Sequence, residues 1–268
     1  MFLTRKALRK IRLLVGAYFA IGAFCLVAWL VLYVVSRREE GPLLVILGVL
    51  CFLLGLLFRQ LGRYAEGKGR LINSGNKLIL HQLLPDEFIR LYQEMRDGPD
   101  TVIAKPDFDV LRLVIAAYDA LGDTEHTLET LSEMRSIAPD KKKPQVKLLT
   151  ASVLFSVGRV EEAEPLFNEG RQEGTDVMTR SMADLVLKSD RAMALGDFST
   201  AELYYRQALT QPFPKATPLS LLYGHFALAK ICSKTGRLEE AKVHCTYCVE
   251  NGGHTAVQAE AVKMAEEL

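Results

Sequence analysis

YDALGDTEHTLETLSEM, from Tyr118 to Met134, is the stretch from which the fold follows. An apolar run ends at Leu121, Gly122 interrupts it, a polar turn follows, and a second amphipathic run begins. The same layout returns in LFSVGRVEEAEPLFNEG (Leu154 to Gly170), AMALGDFSTAELYYRQA (Ala192 to Ala208) and ICSKTGRLEEAKVHCTYC (Ile231 to Cys248). The central glycines, Gly122, Gly158, Gly196 and Gly236, are 36, 38 and 40 residues apart. A glycine between two helix-period runs suits a left-handed helix end that turns the chain into an antiparallel partner. Five residues on stand Thr127, Ala163, Ala201 and Ala241, small enough to let two helices approach. Nine residues on stand Leu131, Phe167, Tyr205 and Cys245, which fill the wedge between them. Seven residues before the glycines stand Ile115, Ala151, Ser189 and Ala229, three of them small. No alternating strand pattern competes with helices from Asp107 onward.

This register resembles the tetratricopeptide repeat (TPR) family, whose unit is a helix hairpin of about 34 residues. Pro139 stands where the family has its closing proline, Pro212 and Pro214 only flank the equivalent place, and the family's tryptophan is absent. The resemblance implies an all-α chain with an α-solenoid of TPR-like hairpins over 85–253. Its units lie around 107–140, 144–175, 180–214 and 220–253, with Pro85 to Asp100 the second helix of a degenerate earlier unit and 254–268 a capping helix. Each hairpin is too small to cover its own apolar face, so neighbours stack and first helices line a concave groove. Carried over position by position, the groove takes Asp109, Arg112, Gln145, Leu148, Ser152, Phe155, Ala183, Val186, Asp190, Met193, Tyr223, Phe226 and Lys230. Its apolar middle and mixed rims suit an extended or helical peptide. A chaperone-tail clamp needs converging cationic donors; the corresponding positions read Arg112 and Ala116, then Leu149, then Ala183 and Leu187, and only Arg112 qualifies.

The other end of the chain has a different solvent. Leu13 to Val35 is 23 residues without a charge, enough to cross the bilayer as a helix. Leu43 to Phe58 is a second uncharged run, of 16 residues, with Arg59 and Arg63 behind it to snorkel. The reading is a two-helix transmembrane hairpin: tail 1–12, spans 13–35 and 43–58, an external loop 36–42, and a juxtamembrane linker or helix over 59–84. A signal peptide is disfavoured by the length of the first run and the charges that follow it. Basic residues cluster before the first run and after the second, with only Arg37 and Arg38 between, so both ends are expected in the cytoplasm of a plasma or inner membrane. Trp29 and Tyr33 suit the outer interface, and Gly16, Ala20, Gly48 and Gly55 suit close helix contact.

Net charge +1 conceals this division: residues 1–70 hold 11 Lys/Arg against 3 Asp/Glu, and residues 71–268 hold 22 against 29. The acidic repeat half lacks the basic stripe that nucleic acid requires. GRYAEGKG (Gly62 to Gly69) is near a phosphate-loop pattern but lacks its hydroxyl residue and preceding strand, and reads as a basic flexible linker. Cys245 and Cys248 form a CxxC beside His244, with Cys232 and His225 upstream. These could serve zinc or thiol redox chemistry, yet Cys232, Cys245 and Cys248 fall on packing positions of the fourth repeat. No metal site, cofactor or catalytic constellation is expected; His81, His126, His225, His244 and His254 form no HExxH. The expectation is a non-enzymatic, multi-pass, membrane-anchored scaffold that recruits a protein or peptide into its groove. Alternatives are a metal or redox module on Cys232, Cys245 and Cys248, or an assembly factor acting through its hairpin. Oligomeric state has no signature in the sequence.

Overall fold

The computed structural model describes residues 5–36, 42–98, 107–173, 182–210 and 217–268, with side chains at 5–12, 29, 30, 32–36, 42–44, 182 and 183 excepted. Trp29, Tyr33, Arg37, Arg38, Ala183, Pro212 and Pro214 therefore lie outside the described side chains. The described residues form helices and turns and no strand: α1 Arg5–Ser36, α2 Pro42–Gly75, α3 Pro85–Asp97, α4 Phe108–Ala120, α5 Thr124–Ile137, α6 Lys143–Ser156, α7 Val160–Glu173, α8 Met182–Ala194, α9 Phe198–Thr210, α10 Pro218–Lys234, α11 Leu238–Asn251 and α12 Ala256–Glu267. A six-residue π-helical turn, Asn76–His81, joins α2 toward α3. The chain divides into two compact units, 1–71 with 95–104, and 72–94 with 105–268.

In the first unit α1 and α2 meet through glycines. A Cβ on Gly22 would lie 3.2 Å from the Gly48 carbonyl oxygen, and one on Gly55 would lie 3.3 Å from the Phe19 ring. Tyr18 stacks on Phe58 with ring centroids 5.2 Å apart, and Phe19 meets Phe52 edge-on. Gly48 and Gly55 are thus at the contact as expected; Gly16 has no neighbour within 4 Å and Ala20 is exposed, while Gly22 takes the role foreseen for them. The outward face is apolar: Phe24 (74% exposed), Val27, Ile46 and Leu53 all point away from the contact. Among the described residues one helix, within Val45–His81, is long and apolar enough to cross a membrane, and α1 adds the shorter apolar stretch Leu13–Ala28. One of the two expected spans is therefore present at full length, and the part of the first run beyond Ala28 lies mostly outside the described side chains.

Beyond Phe58 the chain takes the helical of the two forms expected over 59–84, and the flexible linker expected of GRYAEGKG is replaced by helix. α2 continues unbroken to Gly75, so GRYAEGKG is helical and offers no loop to a phosphate. Three glycines lower helix propensity without forcing a break when no proline or cap follows.

The second unit is built from four hairpins, α4/α5, α6/α7, α8/α9 and α10/α11, and α12 packs on α11. Their turns repeat one geometry. Gly122, Gly158, Gly196 and Gly236 have φ of +71°, +77°, +78° and +77°. Each following amide donates to the carbonyl five residues back: Asp123 to Tyr118, Arg159 to Leu154, Asp197 to Ala192 and Arg237 to Cys232, at 2.8–2.9 Å. This six-to-one bond satisfies a carbonyl that the helix end leaves orphaned. Asp123 and Asp197 then cap the next helix by accepting from the amides of His126 and Thr200, both at 3.1 Å. Thr127, Ala163, Ala201 and Ala241 are fully buried, as are Ala151, Ser189 and Ala229 facing them. Ser189 Oγ donates to the Ala201 carbonyl at 3.1 Å, which measures how closely the paired helices approach.

Candidate functional site

The first helices of the hairpins converge on a polar seam. Asp190 on α8 is at its centre: its Oδ2 accepts from Ser152 Oγ on α6 at 2.6 Å, and its Oδ1 from the Tyr205 hydroxyl on α9 at 2.5 Å. Asp119, at the C-terminal end of α4, accepts from the Tyr223 hydroxyl on α10 at 2.9 Å. The last bond joins residues 104 apart and ties the first hairpin to the fourth. Loss of hydration pushes the Asp190 carboxyl up to about 6, against the pull of its two hydroxyl donors and with help from the Asp119 charge. Asp119 rises for the same first reason, its bond from Tyr223 opposing. Both tyrosines are pushed well above their ordinary value by burial and by the adjacent carboxylates. Two like charges in a drying site favour protonation of one of them. The seam therefore holds two buried carboxylates, each satisfied by hydroxyl donors from neighbouring helices.

The sequence-derived groove divides when placed on this frame. Ser152, Asp190 and Tyr223 belong to the seam. Val186 and Met193 are half-buried against the α8/α9/α10 core. Arg112 is exposed, Lys230 is exposed and bridges to Glu260 at 3.4 Å, and Gln145 is exposed. Leu148, Phe155 and Phe226 do not line an open groove, contrary to expectation: all are buried. Leu148 fills the space over Gly170, where an added Cβ would fall 2.8 Å from it. Phe155 meets Phe167 edge-on within its own hairpin, ring centroids 6.1 Å apart. Phe226 lies under the Lys230 ammonium, 4.2 Å from the ring centre. Their helical period was read correctly, but the angle at which the paired helix and the next hairpin arrive turns that stripe inward.

The three cysteines of the fourth hairpin are fully buried. Burial pushes the Cys248 thiol up to about 12 and raises those of Cys245 and Cys232. A raised thiol is the reverse of what redox chemistry uses. Among the described residues, the possible metal ligands brought together are instead Cys232, Glu240 and His244, with donor atoms within 4.8 Å of one another. Both Glu240 oxygens are already engaged, one by Arg206 and the other by Arg237 at 3.1 Å. Arg237 also holds Glu202. Two guanidiniums at the carboxylate repel a divalent cation, so this cluster is a charge network between α9 and α11. His225 and His244 share a hydrogen bond, Nδ1 to Nδ1, of 3.0 Å, and burial is the first cause lowering both.

Sequence reasoning missed Asp119, His254 and the turn at Asn76–His81. Asp119 had one signal, a carboxylate at the C-terminal end of a helix, where the helix dipole makes a negative charge unfavourable without a partner. No family model, curated protein or solved structure matches this chain.

Proposed function

We propose that the chain is a non-enzymatic scaffold of the TPR kind, an α-solenoid anchored by an N-terminal transmembrane hairpin with both termini on the cytoplasmic side. It recruits a protein or peptide to the bilayer on the surface formed by its first helices. The observation that carries the reading is the recurrence of one glycine-turned hairpin four times, on a chain whose first two helices leave their apolar exterior uncovered. Recurrent hairpins build extended surfaces rather than catalytic pockets, and an uncovered apolar exterior of this extent suits lipid. The site is narrower than the sequence implied: Arg112 and Lys230 are its rims, and Ser152, Val186, Asp190, Met193 and Tyr223 its floor. Tethering raises the effective concentration of whatever the surface holds near the membrane.

Photo-cross-linking from the full chain in its native membrane tests this reading. A photoreactive side chain at Arg112 or Lys230 is expected to capture one protein species, and one at the outward Leu203 or Val243 is not. Equal capture from both sets, or from the outward pair alone, overturns it. The metal or thiol alternative has the Cys232, Glu240 and His244 proximity in its favour, and the two arginines and the raised thiols against it. The hairpin alternative, an assembly factor, predicts that exchange of both apolar runs for an unrelated anchor abolishes capture.

A further inference from the structure

One end of the α1/α2 pair is strongly basic. The two helices run antiparallel, since Tyr18 stacks on Phe58, Phe19 meets Phe52 and Gly22 lies against Gly48. The first turns of α1 and the stretch of α2 beyond Phe58 therefore leave the contact at the same end. Five of the eight residues 5–12 are basic and none is acidic, and residues 59–71 hold four basic residues and one acidic, Glu66. The 95–104 stretch of the same unit adds one basic and two acidic residues, and its Arg96 and Asp97 pair with each other at 2.9 Å. With that stretch counted, 10 Lys/Arg stand against 3 Asp/Glu, whereas 36–42 at the other end holds two of each.

Helical continuity orders this charge. α2 is unbroken from Pro42 to Gly75, so one face can be followed from the apolar run into the basic stretch. At about 3.6 residues per turn, Phe52, Leu56, Arg59, Arg63 and Arg70 fall within about 60° of one another around the axis. All five are exposed, and Glu66, which shares the face, is half-buried. Phe52 and Leu56 thus present uncovered apolar surface that passes on the same face into Arg59 and Arg63. Leu61, on the other side, is the last large apolar residue of α2 left exposed, so the apolar exterior ends at the level of these two arginines. Arg70 lies about 16 Å beyond Arg59 along the axis, farther than a headgroup layer of about 5–8 Å extends. It adds to the field without reaching the layer that Arg59 and Arg63 occupy.

We propose that this face of α2 is a binding site for an anionic phospholipid. Arg59 and Arg63 hold the headgroup phosphate, Phe52 and Leu56 lie along the acyl chain, and the basic first turns of α1 raise the positive field at the same end. The inference rests on the membrane anchoring proposed above. A guanidinium presents a planar fork that matches phosphate oxygens two at a time, and it is more weakly hydrated than an ammonium. Basic clusters immediately beside a membrane span draw anionic lipid. The occupant is a lipid and not a free anion because the cationic and apolar halves of the face are continuous. Only a molecule with both a phosphate and an acyl chain covers the two together.

The test uses the full chain reconstituted into phosphatidylcholine vesicles with a trace of spin-labelled phosphatidylglycerol or, in a parallel sample, phosphatidylcholine bearing the same acyl-chain label. Electron paramagnetic resonance reads the motionally restricted fraction of each lipid. Wild type is expected to favour phosphatidylglycerol by about fivefold, a preference that fades in molar salt. Arg59→Gln together with Arg63→Gln is expected to lower that preference by at least about half, and Arg70→Gln to lower it less. Arg37→Gln together with Arg38→Gln, at the other end, leaves it intact. Equal association of the two lipids with wild type overturns the inference, and so does a preference that the Arg59 and Arg63 pair leaves unchanged. The wild-type comparison decides alone if the double variant fails to fold. Inorganic phosphate added to the vesicles is expected not to release the labelled lipid; release makes the site one for soluble phosphate and overturns the lipid assignment. A chain that does not insert into the vesicles overturns the membrane anchoring itself, whereas insertion without lipid preference overturns the headgroup site alone.

Discussion

The α1/α2 pair and the four hairpins are made of the same element with opposite dress. In the first unit the large side chains face out, Phe24 and Ile46 among them, and the contact is made by glycines. In the second unit the large side chains face in, Phe88 and Leu131 among them, and the contact is made by alanine, serine and threonine with hydrogen bonds around it. Close approach of helices is common to both; on the proposed membrane anchoring, what differs is the solvent on the far side. In water, burying apolar area supplies the drive and polar groups can remain outside. In lipid that drive is absent and van der Waals fit between small residues replaces it. The second unit therefore tolerates a buried polar seam, satisfied donor by donor, whereas no carboxylate appears between Leu13 and Val35 or between Leu43 and Phe58.

The comparison is broken most forcefully at the small positions. Ala201→Leu places three further carbons where Ala201 is wholly buried against Ser189, and is expected to cost the second unit about 3 kcal/mol. Gly16→Leu enlarges a position with nothing within 4 Å and is expected to leave both units unchanged. Thermal unfolding followed by circular dichroism reads both; equal losses would mean that the two units do not differ in this way.

Next in size is pH. Asp190 binds its proton more tightly folded than unfolded, so the native state holds more protons between its ordinary 3.8 and about 6. Stability on this account falls as pH rises through that window and stays lower above it, by about 3 kcal/mol in full, about 2 kcal/mol of it above pH 4.5. Asp119 acts in the same direction. Asp190→Asn is expected to flatten the difference between unfolding at pH 4.5, roughly inside the window, and pH 7.5, above it. A variant that keeps the full wild-type slope would assign the effect to other groups.

The smallest effect belongs to the turns. Gly158→Ala meets no neighbouring atom, so its expected cost of about 1 kcal/mol comes from φ of +77° alone. The same substitution at Gly122 adds a clash with Ala256 at 2.9 Å and is expected to cost more. Chemical denaturation of the pair separates backbone strain from crowding.

Much of the second unit was legible because its determinants are local. A glycine at the end of an apolar run needs only its own helix to adopt positive φ, and small residues at fixed distances from it need only their own hairpin. The groove was less legible. Leu148, Phe155 and Phe226 have the right period for a first-helix face, but whether that face is open depends on Gly170, Phe167 and the Lys230 stem, which come from elsewhere in the chain. GRYAEGKG was read as a flexible linker from its glycines, and its helicity reflects the continuity of α2 into Gly75.

The sequence by itself determined the kind of element, the four-fold hairpin and the uncovered apolar exterior of the first two helices, because each depends on residues within about a dozen positions of one another. Only the tertiary structure decided that Tyr223 reaches Asp119, that His254 reaches Asp86 and that Asn76–His81 covers α4 and α10. These contacts are separated by as many as 168 residues, and no periodic pattern encodes them. They follow from the accumulated angles of four stacked hairpins, where each small rotation is set by packing and only their sum brings the two ends together.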